Sequence, residues 1–194
     1  MSFWDWAVAA YDKPGVPEAC LSLQDEHGFN TALLLWAVWA NPDRETLANG
    51  VQTTVLWDET VLWPLRNVRR ALKGHRPPFA DAPREALRED VKAAEMRAER
   101  TLMDTLEGFA GPAAEPDANG ALTRAAMAWC GQAPAEALDR LARAAVAVLV
   151  DLGPLQELRP FAHGVELGPA DEVIVAALVL AGARIARGGA DRQV

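Results

Sequence analysis

The sequence predicts an all-α fold: a single-domain bundle of about eight helices with no significant sheet. Three observations carry this. Proline and glycine punctuate the chain at intervals, and the segments between them repeat apolar residues at spacings of three and four, the period of an amphipathic helix. No segment longer than a few residues alternates apolar and polar as a half-buried strand does. Finally, 51% of residues are apolar and 24% charged, and 194 residues suffice for one substantial core.

Ser2 with Asp5 three residues on reads as a capping box opening a helix through Tyr11, which Lys13-Pro14-Gly15 ends. Pro17, at a first-turn position, starts a second helix that Gly28 closes. Asn30 caps the third, Thr31 to Ala40, which is apolar on every side and so belongs in the middle of a core. Asn41-Pro42 is expected to cap a short helix stopping at Asn49-Gly50. A longer segment from about Thr53 to Lys73 carries Trp57, Val61, Leu65, Val68 and Leu72 as one apolar stripe, with Gly74 as its stop. Pro64 inside it removes a backbone donor and predicts a kink or two abutting helices.

Asp81 and Pro83 open the longest helix, expected to reach Leu106 before Gly108 and to bury Leu87, Val91, Ala94, Ala98, Leu102 and Leu106. Residues 111–120, GPAAEPDANG, read as a linker. Helices from Ala121 to Cys130 and from Pro134 to Leu152 come next, then a long loop over 153–168 and a last helix from about Pro169 to Arg187. Six of seven tryptophans precede the linker, and the helices after it are rich in alanine. The expected organisation is therefore a Trp-rich core lobe over 1–110, the 111–120 linker, and an Ala-rich lobe over 121–194 packed on the first.

Charge and cysteine content narrow the function classes. A net charge of -8 opposes wholesale nucleic-acid binding. Cys20 and Cys130 lack any C-x-x-C spacing and are expected to be free, buried thiols. The start of the chain has no basic leader followed by an apolar core, and the longest apolar run, Val173 to Ala183, is well short of the ~20 residues of a membrane span. The expected location is cytoplasmic.

Four groups of residues invite chemistry. Arg66, Arg69, Arg70, Lys73 and Arg76 fall in an acid-free stretch with His75. It carries +5, against 14 bases and 27 acids elsewhere, a net of -13. At about 100° per residue the first four share a face opposite the Trp57–Leu72 stripe. Such a face is either solvated and paired with the chain's own abundant acids or binds an anionic small molecule or protein partner, because guanidinium forks match oxyanions. No aromatic is interleaved for base stacking, so nucleic acid is not the expected partner.

Glu95 lies inside the apolar face of the longest helix and Glu99 at its shoulder, and a carboxylate there must be paired, neutralised or functional. Pairing of Glu95 with an arginine from 66–70 is the leading expectation. A carboxylate metal site would need a Glu-x-x-His partner, which none of His27, His75 and His163 has, so no metal or other cofactor is expected. His27 and Gln24 project toward the side of Val16, Cys20 and Leu23 as buried polar candidates, with His27 placed to meet terminal carbonyls. The tryptophan pairs read as core rather than as a ligand pocket. No G-x-S-x-G, phosphate loop or Cys-His dyad is present, so no catalytic residue is assigned.

Taken together, ACLSLQDEHGFNTALLLWAVW at 19–39, PLRNVRRALK at 64–73 and KAAEMRAER at 92–100, after FW and Tyr11 near the start, resemble an uncharacterised proteobacterial family of helical proteins. Its segments take the form LQDxxG, PLRxxRRxLK and KxxExxxER and cover roughly the first 110 residues. The resemblance implies no activity, cofactor or catalytic residue. The expected function is that of a non-enzymatic interaction or regulatory protein using the Arg66–Arg76 face. The alternative is an all-helical enzyme acting on a small or lipid-like substrate through a buried carboxylate site. A homodimer through the apolar last helix is compatible with both.

Overall fold

The computed structural model describes residues 1–111 and 117–151. Among them the chain is all-α: α1 (Phe3–Tyr11), α2 (Val16–His27), α3 (Thr31–Ala40), α4 (Arg44–Trp57), a π-helical turn (Asp58–Leu62), α5 (Trp63–Ala71), α6 (Asp81–Phe109), α7 (Ala118–Cys130) and α8 (Ala135–Asp151). Because α4, the π turn and α5 are continuous, these are seven rods rather than about eight. The loop expected over 153–168, the helix over 169–187 and any dimer contact through it lie outside the described residues.

Local chemistry explains most boundaries. The Ser2 hydroxyl accepts from the Asp5 N–H at 3.1 Å and donates to the Asp5 carboxylate at 2.7 Å, closing the capping box of α1. The α1 start also receives Glu107 from the end of α6, which accepts from the Phe3 N–H at 2.9 Å. Gly28, at φ 69°, and Phe29 turn their N–H groups back onto the carbonyls of Gln24 and Leu23 and end α2. These two carbonyls are thus met by backbone and not by His27. His27 is exposed, not buried as expected, because the chain reverses at the next residue.

Four other boundaries differ from expectation. Asn41 ends α3 in the left-handed region at φ 39°, and Asp43 caps α4 by accepting from the Thr46 N–H at 2.8 Å. Gly50 does not end a helix: α4 runs through it, and glycine stands there because a Cβ would lie 2.5 Å from Trp36 Cζ3. It is a close-approach glycine, not a cap. Likewise α6 passes Gly108 to end at Phe109, and α7 begins at Ala118, within the expected linker, with Asp117 as its cap.

Helix α3 is the axle. Every residue from Thr31 to Trp39 is buried, and it packs against α1, α2, α4, α6 and α7. Trp6 and Trp36 are fully buried although neither indole N–H has a partner. Removing roughly 150–250 Å² of each ring from water is worth about 4–6 kcal/mol, which exceeds the ~1–3 kcal/mol of an orphaned donor. The buried residues of α7 and α8, among them Leu122, Ala125 and Leu141, join this same core. Cys20 is buried there, but Cys130 is exposed at the end of α7, contrary to expectation.

The expected Trp57–Leu72 stripe holds over Trp57, Val61 and Leu65, which pack on the core, and fails at Val68. Val68 is 47% exposed, while Arg69 is 3% exposed. The π turn is the reason. It contains an N–H to C=O bond from Trp63 to Asp58, five residues back, so one residue is added to the ladder and the helix beyond it is rotated by about 100°. Pro64, which has no N–H to offer, sits just past that change of register, and the helix continues through it without a break. On α6, Leu87 is 50% exposed, so the N-terminal turns of that helix stand clear of the core.

No helix among the described residues is long and apolar enough to cross a membrane.

Candidate functional site: a buried ion cluster beside a cavity

With the register shifted, the arginine face of α5 turns inward onto α6. Arg69 grips Glu95 with both nitrogens of its fork, Nε to Oε2 at 2.5 Å and Nη2 to Oε1 at 3.3 Å. Arg66 spreads over three carboxylates: Nη1 to Asp58 at 3.1 Å, Nε to Glu95 Oε1 at 3.3 Å, and Nη2 to Glu99 Oε1 at 3.0 Å. Asp58 reaches Arg66 only because of the π turn. Eight residues apart on a regular helix the two would point about 80° apart, whereas with one residue absorbed they behave as i and i+7, about 20° apart.

The basic set thus divides. Arg66 and Arg69 are internal and committed to carboxylates, so a single solvated cationic face does not exist. Arg70 lies with its guanidinium 5.3 Å from the Trp63 ring centroid, and Lys73 and Arg76 are exposed. The neighbourhood of Arg66 and Arg69, together with partial burial, lowers the Arg70 pKa; burial is the larger cause. For Arg66, burial works against the charge, yet Glu99, Asp58 and Glu95 together hold its pKa above the usual value.

The two glutamates on α6 differ. Both Glu95 oxygens are bonded and its side chain is fully buried. Glu99 is bonded through Oε1 alone, and its buried Oε2 has no hydrogen-bond partner. Burial pushes the Glu99 pKa up from 4.5 to about 7, Arg66 pulling against it and Glu95 adding to it. Asp58, Glu95 and Glu99 face Arg66 and Arg69, and Arg70 is also within electrostatic reach of Glu95, so burial rather than a shortage of cations is what raises Glu99. Beyond Glu99, the buried Tyr11 hydroxyl lies beside the Cys20 thiol and Thr31, its pKa raised by burial first and then by Cys20. Burial lifts Cys20 to about 12.

Glu99, Arg66 and Asp58 line a cavity of about 220 Å³ together with Gln24, Thr31, Trp63 and Trp129. It sits between the end of α2, the start of α3, the π turn with α5, α6 and α7. Trp129 is anchored there by donating its indole N–H to the Gly28 carbonyl at 3.1 Å. Of the expected site residues, the fold brings Gln24, Arg66 and Glu99 to this cavity, places Arg69 and Glu95 behind its wall, and leaves His27, Lys73 and Arg76 outside. Sequence reasoning misses Asp58, Trp63, Thr31 and Trp129 as site residues. For Asp58 the signal is an acid eight residues before an arginine, legible only to a reader who knows of the π turn. Another concavity, of about 500 Å³, lies between the start of α2 and α8, but its Arg143 is mostly exposed and paired with Asp139. No group of three or more His, Cys, Asp or Glu side chains placed to hold a metal occurs among the described residues.

The chain matches no curated protein and no solved structure. Residues 2–106, from the capping box of α1 to the last buried leucine of α6, match the family described as "Protein of unknown function (DUF2390)". That span includes the π turn, both arginines and all three carboxylates of the cluster, and it exceeds half of the 194 residues: the chain belongs to the DUF2390 family.

Proposed function

We propose that this chain is a small-ligand-binding protein of regulatory type, with the cavity beside Glu99 as its binding site. One observation carries the reading: Glu99, whose buried Oε2 has no hydrogen-bond partner, is among the side chains that line an open volume. Leaving such a group unpaired costs about 1–3 kcal/mol, and a small movement of the side chain toward the neighbouring space would let a ligand meet it. The lining suits this, being apolar and aromatic with a few convergent polar groups. Binding of an anionic partner through the 66–76 run would now rest chiefly on Lys73 and Arg76, since Arg66 and Arg69 are committed elsewhere.

A second reading is favoured by the Glu99 pKa near 7, which suits a general acid or base working at neutral pH. One experiment addresses both. A fragment library screened by ligand-observed NMR should give binders to the wild-type chain that are lost in Gln24→Phe, which fills the cavity, provided circular dichroism shows that variant folded. No binder to wild type, or equal binding to the filled variant, defeats the reading. A fragment that is chemically converted by wild type and not by Glu99→Gln would move the assignment to the enzyme.

A further inference from the structure

We infer that the cavity takes a planar, uncharged aromatic amide, its carbonyl and N–H engaged by the Gln24 carboxamide and its ring packed against Phe29, Trp63 and Trp129. This rests on the cavity being a binding site and names the chemistry of its occupant. The first argument is Gln24. It lines the cavity from α2 and is only 6% exposed, yet its carboxamide forms no hydrogen bond with any described residue. Glu99 Oε2 is bare but enclosed, whereas neither polar atom of Gln24 is sealed from open space. A carboxamide both donates and accepts, and one left unmet at a cavity wall calls for a partner from outside the chain. Another amide, with donor and acceptor side by side, is the match that satisfies both ends at once.

The second argument is charge. The ions at the wall are matched among themselves: Arg66 with Asp58, Glu95 and Glu99, Arg69 with Glu95, and Arg70 also within electrostatic reach of Glu95. A cation entering would face Arg66, with Arg70 over Trp63, and an anion would face Asp58 and Glu99. An uncharged ligand meets neither repulsion and gives up no ionic hydration. It still finds donors. Arg66 Nη1 and Nη2 each keep a further N–H beyond those given to Asp58 and Glu99. At the start of α3 the Asn30 side chain accepts from Leu33, which leaves the N–H groups of Thr31 and Ala32 outside the cap. Surplus donors at the wall suit a ligand that carries a carbonyl.

The third argument is shape. Phe29, Trp63 and Trp129 line the cavity with Leu62 and Leu102, so a flat conjugated ring finds aromatic and aliphatic contact there. Trp129 is fixed as a wall by its bond to the Gly28 carbonyl. About 220 Å³ corresponds to roughly seven waters of liquid, which is room for one ring with one substituent and not for a peptide. The unmet carboxamide also supplies a readout. It contributes no hydrogen bond to the empty fold, so leucine of similar volume at position 24 removes recognition without removing support.

The test is calorimetric titration of the full chain at neutral pH with three probes of nearly equal shape: benzamide, benzamidine as the cation and benzoate as the anion. The inference expects benzamide to bind about tenfold more tightly than either charged probe. It expects benzamide to lose about tenfold in Gln24→Leu but nothing in the exposed control Gln52→Leu. Gln24→Leu should melt no lower than wild type, and a clear drop would show Gln24 to be structural and overturn the inference. Equal benzamide binding by Gln24→Leu, or preference for benzamidine or benzoate, also overturns it while leaving the cavity a binding site. If no probe binds, the inference fails, and the cavity reading then stands or falls on the fragment screen alone.

Discussion

Replacing Glu99 by glutamine should change how stability depends on pH, and in a direction opposite to that of an ordinary salt-bridged carboxylate. In the folded chain burial raises Glu99 from 4.5 to about 7. Between those values the folded protein holds a proton that the unfolded chain has released, so stability falls as pH rises. The contribution is complete below about pH 4.5 and gone once pH passes 7. The span is about 2.5 pKa units, or about 3 kcal/mol at 1.36 kcal/mol per unit, most of it between pH 5 and pH 8. Glutamine imitates the neutral acid and titrates nowhere in this range, and all other groups are common to both proteins. Urea unfolding at pH 5 and pH 8 should therefore show wild type losing about 2–3 kcal/mol more than Glu99→Gln, a relative midpoint shift of about 1 M at a slope of 2–3 kcal/mol/M. Midpoints that move in parallel in the two proteins would refute the argument that Glu99 is held neutral by burial.

Three further outcomes are expected. Arg69→Met takes its two-nitrogen partner from buried Glu95, leaving the Arg66 Nε contact, and should cost about 3 kcal/mol, whereas adding Glu95→Gln should recover part of that loss; simple additivity of the two in urea melts would count against a coupled pair. Gly50→Ala forces a Cβ to within 2.5 Å of Trp36 and should destabilise by about 1–3 kcal/mol despite alanine's helix propensity, while Gly108→Ala, with nothing near its Cβ, should stabilise by about 0.5–1 kcal/mol. A fragment ending at residue 111 lacks Leu122, Ala125 and Ala126, which cover α3, and should show neither dispersed NMR signals nor cooperative unfolding; a sharp thermal transition would show that the family-matched region folds alone.

Arg66, Arg69, Glu95 and Glu99 are each visible in the sequence as residues wanting an explanation, and pairing of Glu95 with an arginine is the natural expectation for a carboxylate on an apolar helix face. The direction in which α5 faces is not visible. Extrapolating about 100° per residue from Trp57 to Leu72 assumes an unbroken α-helix, and the π turn over Asp58–Leu62 breaks that assumption by one residue. Nothing in DETVL announces such a turn except the proline just beyond it. The same one-residue change turns Arg66 and Arg69 onto Glu95 and Glu99 and exposes Val68.

The sequence by itself determined the all-α class, the capped starts of α1 and α3, the axle role of an apolar helix over 31–40, and the family, because these depend on local chemistry and on residue order. Tertiary packing decided why position 50 inside α4 is glycine, because a tryptophan ring from fourteen residues earlier in the chain lies where its Cβ would stand. It alone decided that Glu95 is saturated while Glu99 keeps one oxygen bare. Both glutamates lie one turn apart on the same face of α6. Their difference comes from which arginine nitrogens reach them across an interface, and that depends on helix register and not on either residue's neighbours in the chain.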